Sequence, residues 1–294
     1  MAAGHDQELR HFISESGWDL AEIEQVLWEK ADAMLGGDDA FLIIDDTALP
    51  KKGDASVGVP KDITFQPKWR IALEQVRRLN KAGIRFGTVL ADAGYGICAS
   101  FRRALSEEKL LWAVGIVSEQ KFYPTHACAE LPRASTTGPA PKRSVPTHPR
   151  KNAQQIIAHC GESAWRRITW RKGTKGALSA EFIAVRVRTA DGPESWDRVH
   201  LPGDEAWLVA ERRHNGEVKY HLTNHPPKTS LKTLASAIKA RWSCEQAHQQ
   251  LKEELGLENE EGRTWRGLSA HALMTMIAFA FLQHERLREN KSAA

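Results

Sequence analysis

The sequence is short of paired cysteines. Cys98, Cys128, Cys160 and Cys244 stand far apart, and no two form a C-x-x-C pair. That spacing excludes a zinc knuckle or a dithiol redox motif and gives no disulfide framework, so four reduced thiols in a cytoplasmic setting are expected. Long apolar runs are also missing. The longest, Ala272 to Leu282, is interrupted by Thr275 and is too short to span a bilayer. The opening segment MAAGHDQELRHF lacks the apolar stretch of a secretion signal. Neither secretion nor a membrane partner is expected. No internal repeat and no helix-turn-helix stands out. Charge of one sign is scarce too: 41 Lys+Arg against 37 Asp+Glu give +4, which permits a nucleic-acid partner without demanding one.

What is present is ordinary globular chemistry. Hydrophobic residues make up 41% and charged residues 27% of 294 positions, enough for a sizeable core and about two domains' worth of chain. Residues 8–35 read as helical, with Asp19 and Glu22 as a capping box and Gly36-Gly37 as a stop. Phe41 to Ile44 reads as a buried strand that runs into Asp45-Asp46. Residues 50–66 read as loop. A helix over 67–82 follows, then a strand from Phe86 to Leu90 that ends at Ala91-Asp92. A helix from Ile97 to Lys109 and a strand from Leu111 to Val117 complete the alternation of an α/β layered fold.

Beyond residue 120 the pattern changes. Residues 133–172 hold nine Lys/Arg against one acid, Glu162, with Lys142, Arg143, Arg150 and Lys151 at the centre. This stretch fits a DNA-backbone surface or a solvated linker equally well. From Trp165 to Asn224 the runs are short and β-like, and Asp191-Gly192 and Asn215-Gly216 signal hairpins. A long helix over 230–255 and a last helix after Leu268 close the chain.

Three acidic positions carry the chemistry. Asp45-Asp46 and Asp92 follow apolar strands, and carboxylates at strand ends converge where open α/β sheets bind ligands. Glu245 lies mid-helix, sharing a face with Arg241, His248 or Gln249, and Lys252. Each alone has a plain structural reading: a helix cap for Asp92, a surface ion-pair stripe for Glu245. Together, hard oxygen ligands from separate elements suit Mg²⁺ or Mn²⁺, and two such ions clamp an in-line phosphoryl transfer.

The spacing Arg241-x3-Glu245-x6-Lys252 resembles a signature of insertion-sequence DDE transposases, with Ile238 where that signature has Tyr. Ile44-Asp45-Asp46-Thr47 with Pro50 to Gly53 and Ser56 to Val59 is similar to the first-aspartate motif of one subgroup. Leu90 to Gly96 is similar to the second, and Gly262 to Leu268 with His271-Ala272-Leu273 to the tail. The resemblance covers nearly all of the chain. It implies a ribonuclease H-like α/β core with a β-rich insertion: residues 39–120 as its first part, 121–228 as basic loop and insertion, and 229–294 as its helical end, behind a helical segment 1–38. It implies Asp45, Asp92 and Glu245 as metal ligands for two Mg²⁺ or Mn²⁺ ions, with Asp46 as the alternative to Asp45. Arg241 and Lys252 would contact DNA phosphates, and Tyr95 would lie nearby. The implied partners are transposon-end and target DNA, with a homodimer as the active form, near the bacterial nucleoid.

One interval departs from the family. Asp92 follows Asp45 by only 47 positions, and no alternating or β-branched run lies between Asp45 and the helix over 67–82. The resemblance implies two further core strands there. Ser56 to Ile63 reads as two separated family segments joined, which predicts an internally deleted core with loosened carboxylates and weak transposition.

Overall fold

Three apolar runs become three neighbouring strands. The computed structural model describes residues 17–47, 64–132, 142–173, 176–195, 199–259 and 264–292. In it, β1 spans Gly37–Ile44, β2 Phe86–Ala91 and β3 Leu111–Ile116. β1 pairs with β2 and β2 with β3, both parallel. Parallel neighbours need a crossover. Helix α2 (Lys68–Lys81) lies between β1 and β2. Helices α3 (Ala93–Gly96) and α4 (Ala99–Glu107) lie between β2 and β3. Helix α1 (Leu20–Leu35) starts where Asp19 caps it, accepting from the amides of Ala21 and Glu22. Of the helix expected over 8–35, residues 20–35 are helical and 17–19 are not; residues 1–16 lie outside the described residues.

The following elements are β4 (Lys121–Tyr123), β5 (Ala129–Glu130), β6 (Val145–Pro146), β7 (Lys151–Asn152), α5 (Ala153–His159), β8 (Arg166–Gly173), β9 (Gly176–Thr189), β10 (Glu205–Arg212) and β11 (Val218–Thr223). Helices α6 (Leu231–Ala240), α7 (Trp242–Glu253) and α8 (Trp265–Ser292) end the chain. Among the described residues the main sheet has nine strands. Its order is β1-β2-β3-β11-β10-β9-β4-β7, and β8 pairs with β9 off that path. The β-rich stretch thus continues the parallel strands, because β11 pairs antiparallel with β3. One sheet crosses the boundary expected at residue 120.

Side chains alternate across this sheet. Val89 and Ala91 face one core with Leu73 and Val76 of α2 and Phe101 and Leu105 of α4. Leu90 faces the other, with Ala113, Phe182, Val209 and Leu234 and Ile238 of α6. Helices therefore cover both faces, as parallel strands require. Helix α8 packs on α1, and Ile277 and Phe281 line a groove with Ile23 and Leu27. By length and composition α8 is long and apolar enough to cross a membrane, a property the interrupted run at 272–282 does not display by itself.

Two expectations are corrected. Asp191-Gly192 does not make a two-residue hairpin. Asp191 is held by Arg102 at 2.5 Å, and the Gly192 amide donates to the Leu201 carbonyl at 3.1 Å, inside a longer β9–β10 connection. Asn215-Gly216 does turn β10 into β11, with Gly216 at φ +82°. The helix expected over 230–255 is two helices. The Cys244 amide bonds to the Arg241 carbonyl, three residues back, and this tightened turn separates α6 from α7.

The backbone of α3 rests directly on β3. A Cβ at Gly96 would stand 1.9 Å from the Gly115 carbonyl oxygen. Gly96→Ala must displace backbone in a packed interior, so it is expected to destabilise the fold by about 1–3 kcal/mol, read by denaturant unfolding.

Candidate active site

β1 and β2 are parallel neighbours, so their C-terminal ends lie side by side and carry Asp45 and Asp92. Asp45 and Asp46 diverge. The Asp45 carboxylate, 14% exposed, accepts from Arg241 Nη1 at 2.9 Å. Asp46, 51% exposed, accepts from Lys68 Nζ at 2.6 Å and from the Tyr95 hydroxyl at 2.5 Å. The Lys68 ammonium and the Tyr95 hydroxyl hold the Asp46 carboxyl below its usual range. Burial and the bond to Asp46 push the Tyr95 phenol well above its own.

Arg241 sits between α6 and α7 and reaches two acids. Its Nη2 donates to Glu245 at 2.5 Å while Nη1 holds Asp45, 196 positions away in sequence. The i,i+4 pair expected on the helix is present, and it is part of a tertiary bridge. Asp92 caps α3, its Oδ1 accepting from the Tyr95 amide at 3.3 Å. Among the described residues it has no ion pair. Asp92, Glu245 and Arg241 line one cleft of about 460 Å³. The plain readings of Asp92 and Glu245 therefore hold locally, and both carboxylates still open onto one space.

The other expected contacts lie elsewhere. Lys252, at the end of α7, pairs with Glu258 at 3.3 Å and does not line the cleft. Lys142, Arg143, Arg150 and Lys151 are exposed. β7, which begins at Lys151, is the sheet's far edge, six strands from β2. At about 4.8 Å per strand that is up to about 30 Å from Asp92. Residues 133–141 of the basic stretch, the Pro50–Gly53 and Ser56–Val59 motifs, and Gly262 and Arg263 of the tail lie outside the described residues.

The comparisons with known proteins bear on this site. A family model described as DDE superfamily endonuclease matches residues 1–61 and 57–177, which together reach from residue 1 to residue 177 of 294. The chain belongs to the DDE superfamily endonucleases. The mixed sheet between two helical layers is consistent with the ribonuclease H-like fold of that family, and a transposase-like nuclease acting on DNA follows from membership. The matched stretch contains Asp45 and Asp92 and stops before Glu245. A search of curated proteins finds no match.

Sequence reading missed the cationic wall of this DDE endonuclease's cleft. Glu211 on β10, 3% exposed, accepts from Lys239 at 2.7 Å and lies 3.7 Å from Arg213. His221 on β11 faces the same cleft, and its Nε2 is sealed from solvent without a hydrogen bond. Glu211 stands 4.0 Å from that nitrogen, beyond hydrogen-bond reach. Burial, with Lys239, Arg241, Arg213 and Lys219 around it, outweighs that carboxylate and lowers the His221 pKa to about 3. No local pattern marks these residues, since β10, β11 and α6 meet only in the fold.

A pH dependence follows. The unfolded imidazole protonates near its ordinary 6.5, whereas the folded one resists until about 3. The unfolded chain binds the extra proton between these values, so stability is complete above that window and declines as pH falls through it. Acidification from about pH 7 to about pH 5 is expected to cost roughly 2 kcal/mol through this group. Denaturant unfolding at both pH values, beside His221→Gln, checks it: the variant loses that share of the slope.

Proposed function

We propose that the chain is a DDE transposase that cleaves transposon-end DNA and joins it to target DNA, with Asp45, Asp92 and Glu245 as its catalytic carboxylates. The observation that carries this reading is the Arg241 guanidinium. It ties Glu245, which lines the cleft with Asp92, to Asp45, which opens onto the neighbouring pocket with Asp46 and Tyr95. A cation already sits between two of the three acids, and all three offer hard oxygen, so the set fits Mg²⁺ or Mn²⁺. Asp45, Asp92 and Glu245 would hold two such ions, which supply charge neutralisation at the phosphate and an activated water. Asp46 is committed to Lys68 and Tyr95, which favours Asp45 as the first ligand.

The protein's own groups do the rest. Arg241, released from the carboxylates, turns its two-pronged donor set to a phosphate. The wall of Lys239, Arg213 and Lys219 keeps the cleft attractive to the DNA backbone. Hydrolysis frees a 3′-hydroxyl, and that hydroxyl then attacks a target phosphodiester, displacing its 3′-oxygen. DNA engaging both the cleft and the basic edge at Arg150-Lys151 would cover about 9 base pairs, given about 30 Å and 3.4 Å per step. Two ends cut together favour a homodimer.

We also propose that the core is internally shortened. The family matches meet at residues 57–61, and among the described residues β1 pairs on one side only. A one-sided β1 positions Asp45 loosely, and displacements of about 1 Å cost metal-assisted reactions heavily. Joining is therefore expected to be slow. The edge position of β1 also favours a second reading, a DNA-binding remnant without chemistry. Incubation of the purified chain with supercoiled plasmid separates the two. Mg²⁺-dependent nicking that a chelator stops supports the transposase. DNA retention without nicking supports the remnant and removes the catalytic assignment.

A further inference from the structure

We propose that Asp45, Cys244 and His248 form a binding site for a borderline-soft divalent cation such as Zn²⁺. Cys244 and His248 are one helical turn apart on α7, so their side chains share a face. Cys244 Sγ lies 3.8 Å from His248 Nε2. One carboxylate oxygen of Asp45, from the end of β1, joins them, and no two of these three atoms are more than 4.8 Å apart. A tetrahedral zinc with Zn–S of about 2.3 Å and Zn–N of about 2.0 Å needs sulfur and nitrogen about 3.6 Å apart. The helical pair, at 3.8 Å, is close to that separation, and the Asp45 oxygen lies within 4.8 Å of both atoms. All three residues are half-buried, which leaves the fourth position to water.

The donor set differs in kind from the three carboxylates. Thiolate and imidazole suit Zn²⁺ or Co²⁺ and disfavour Mg²⁺, which keeps to oxygen. The thiol proton passes to solvent as the metal–sulfur bond forms. Arg241 keeps Glu245 when Asp45 turns to the metal.

The site has a consequence that rests on Asp45 being a catalytic ligand. An ion held by Asp45, Cys244 and His248 takes Asp45 away from Mg²⁺. Zn²⁺ would then switch off the nuclease by competition, and would also pin α7 to the end of β1.

Co²⁺ titration of the full chain tests the site without any need for activity. Expected is one Co²⁺ per chain with a sulfur-to-cobalt charge-transfer band, displaced by Zn²⁺. Cys244→Ser should abolish the band, and His248→Gln should weaken binding at least ten-fold. Cys128→Ser, at the exposed cysteine beside His148, should leave both unchanged. Melting in chelator establishes that each variant folds, and Zn²⁺ should raise the melting temperature of the wild type but not of Cys244→Ser. Binding without the band, or a band that survives Cys244→Ser, overturns the proposal. If Zn²⁺ binds as described and nicking is absent throughout, the metal site stands and the catalytic reading falls.

Discussion

Asp92→Asn is expected to lower Mg²⁺-dependent nicking about a thousand-fold while DNA retention changes by less than about two-fold. Losing one anionic ligand removes several kcal/mol of the charge stabilisation that metal-assisted phosphoryl transfer depends on, and about 4 kcal/mol corresponds to three decades in rate. The variant is informative because the fold tolerates it. Asp92 caps α3 through one oxygen, and asparagine retains that acceptor and is an equally good cap. Binding through phosphate contacts is untouched, since removing a negative charge from the cleft opposes nothing in the backbone interaction. Plasmid nicking and gel retardation on the same preparation, with a melting curve beside them, check it. Equal nicking by both proteins removes Asp92 from the active site.

Lys239→Met is expected to destabilise the fold by about 3–5 kcal/mol, the cost of stranding a buried charge. Glu211 is almost fully enclosed, and Lys239 is its closest partner at 2.7 Å. Arg213 stays at 3.7 Å and softens the loss, so the lower end of the range applies. At about 2–4 °C per kcal/mol for a chain of this size, the melting temperature falls by roughly 6–12 °C. The double variant Glu211→Gln/Lys239→Met should recover most of that fall, because no uncompensated charge remains. An unchanged melting temperature for the single variant would show that water reaches Glu211. Arg288–Glu285, an exposed i,i+3 pair near the end of α8, is the contrast: its removal should cost at most about 1 kcal/mol.

The first half of the fold is legible in the sequence because its signals are local. Phe41–Ile44, Phe86–Leu90 and Leu111–Val117 are apolar runs long enough for parallel strands, and each became one, with β2 and β3 buried and β1 only half-buried at the rim. Asp19 and Gly36 punctuate α1 for stereochemical reasons visible in two residues. The carboxylates were legible as strand-end and helix positions, and their meeting required the order β1-β2-β3-β11, which no local pattern contains. The break at Arg241 was hidden because its φ −55° and ψ −31° remain helical, and only the hydrogen bonding changes. Asp191-Gly192 misled because a good turn dipeptide was overridden by Arg102, reaching from α4. Cys244 and His248 are visible at helical spacing, yet Asp45 is about two hundred positions away. Lys252 fits a family spacing and still turns towards Glu258, since after the tightened turn its end of α7 faces the Leu257–Asn259 segment.

The one-sided pairing of β1 gives the carboxylate set an uneven lifetime. Asp92 stands on a strand clamped by neighbours on both sides, and Glu245 stands on α7, tied to Asp45 through Arg241. Asp45 stands on the sheet's outermost described strand, the kind of element that opens at a fraction of the global unfolding free energy. Were that opening to cost only about 1.4 kcal/mol, roughly one molecule in ten would lack its first acid at any instant. Assembly of the three carboxylates is then an equilibrium set by the rim of the sheet, and whatever stiffens that rim acts as an activator from outside the chemistry.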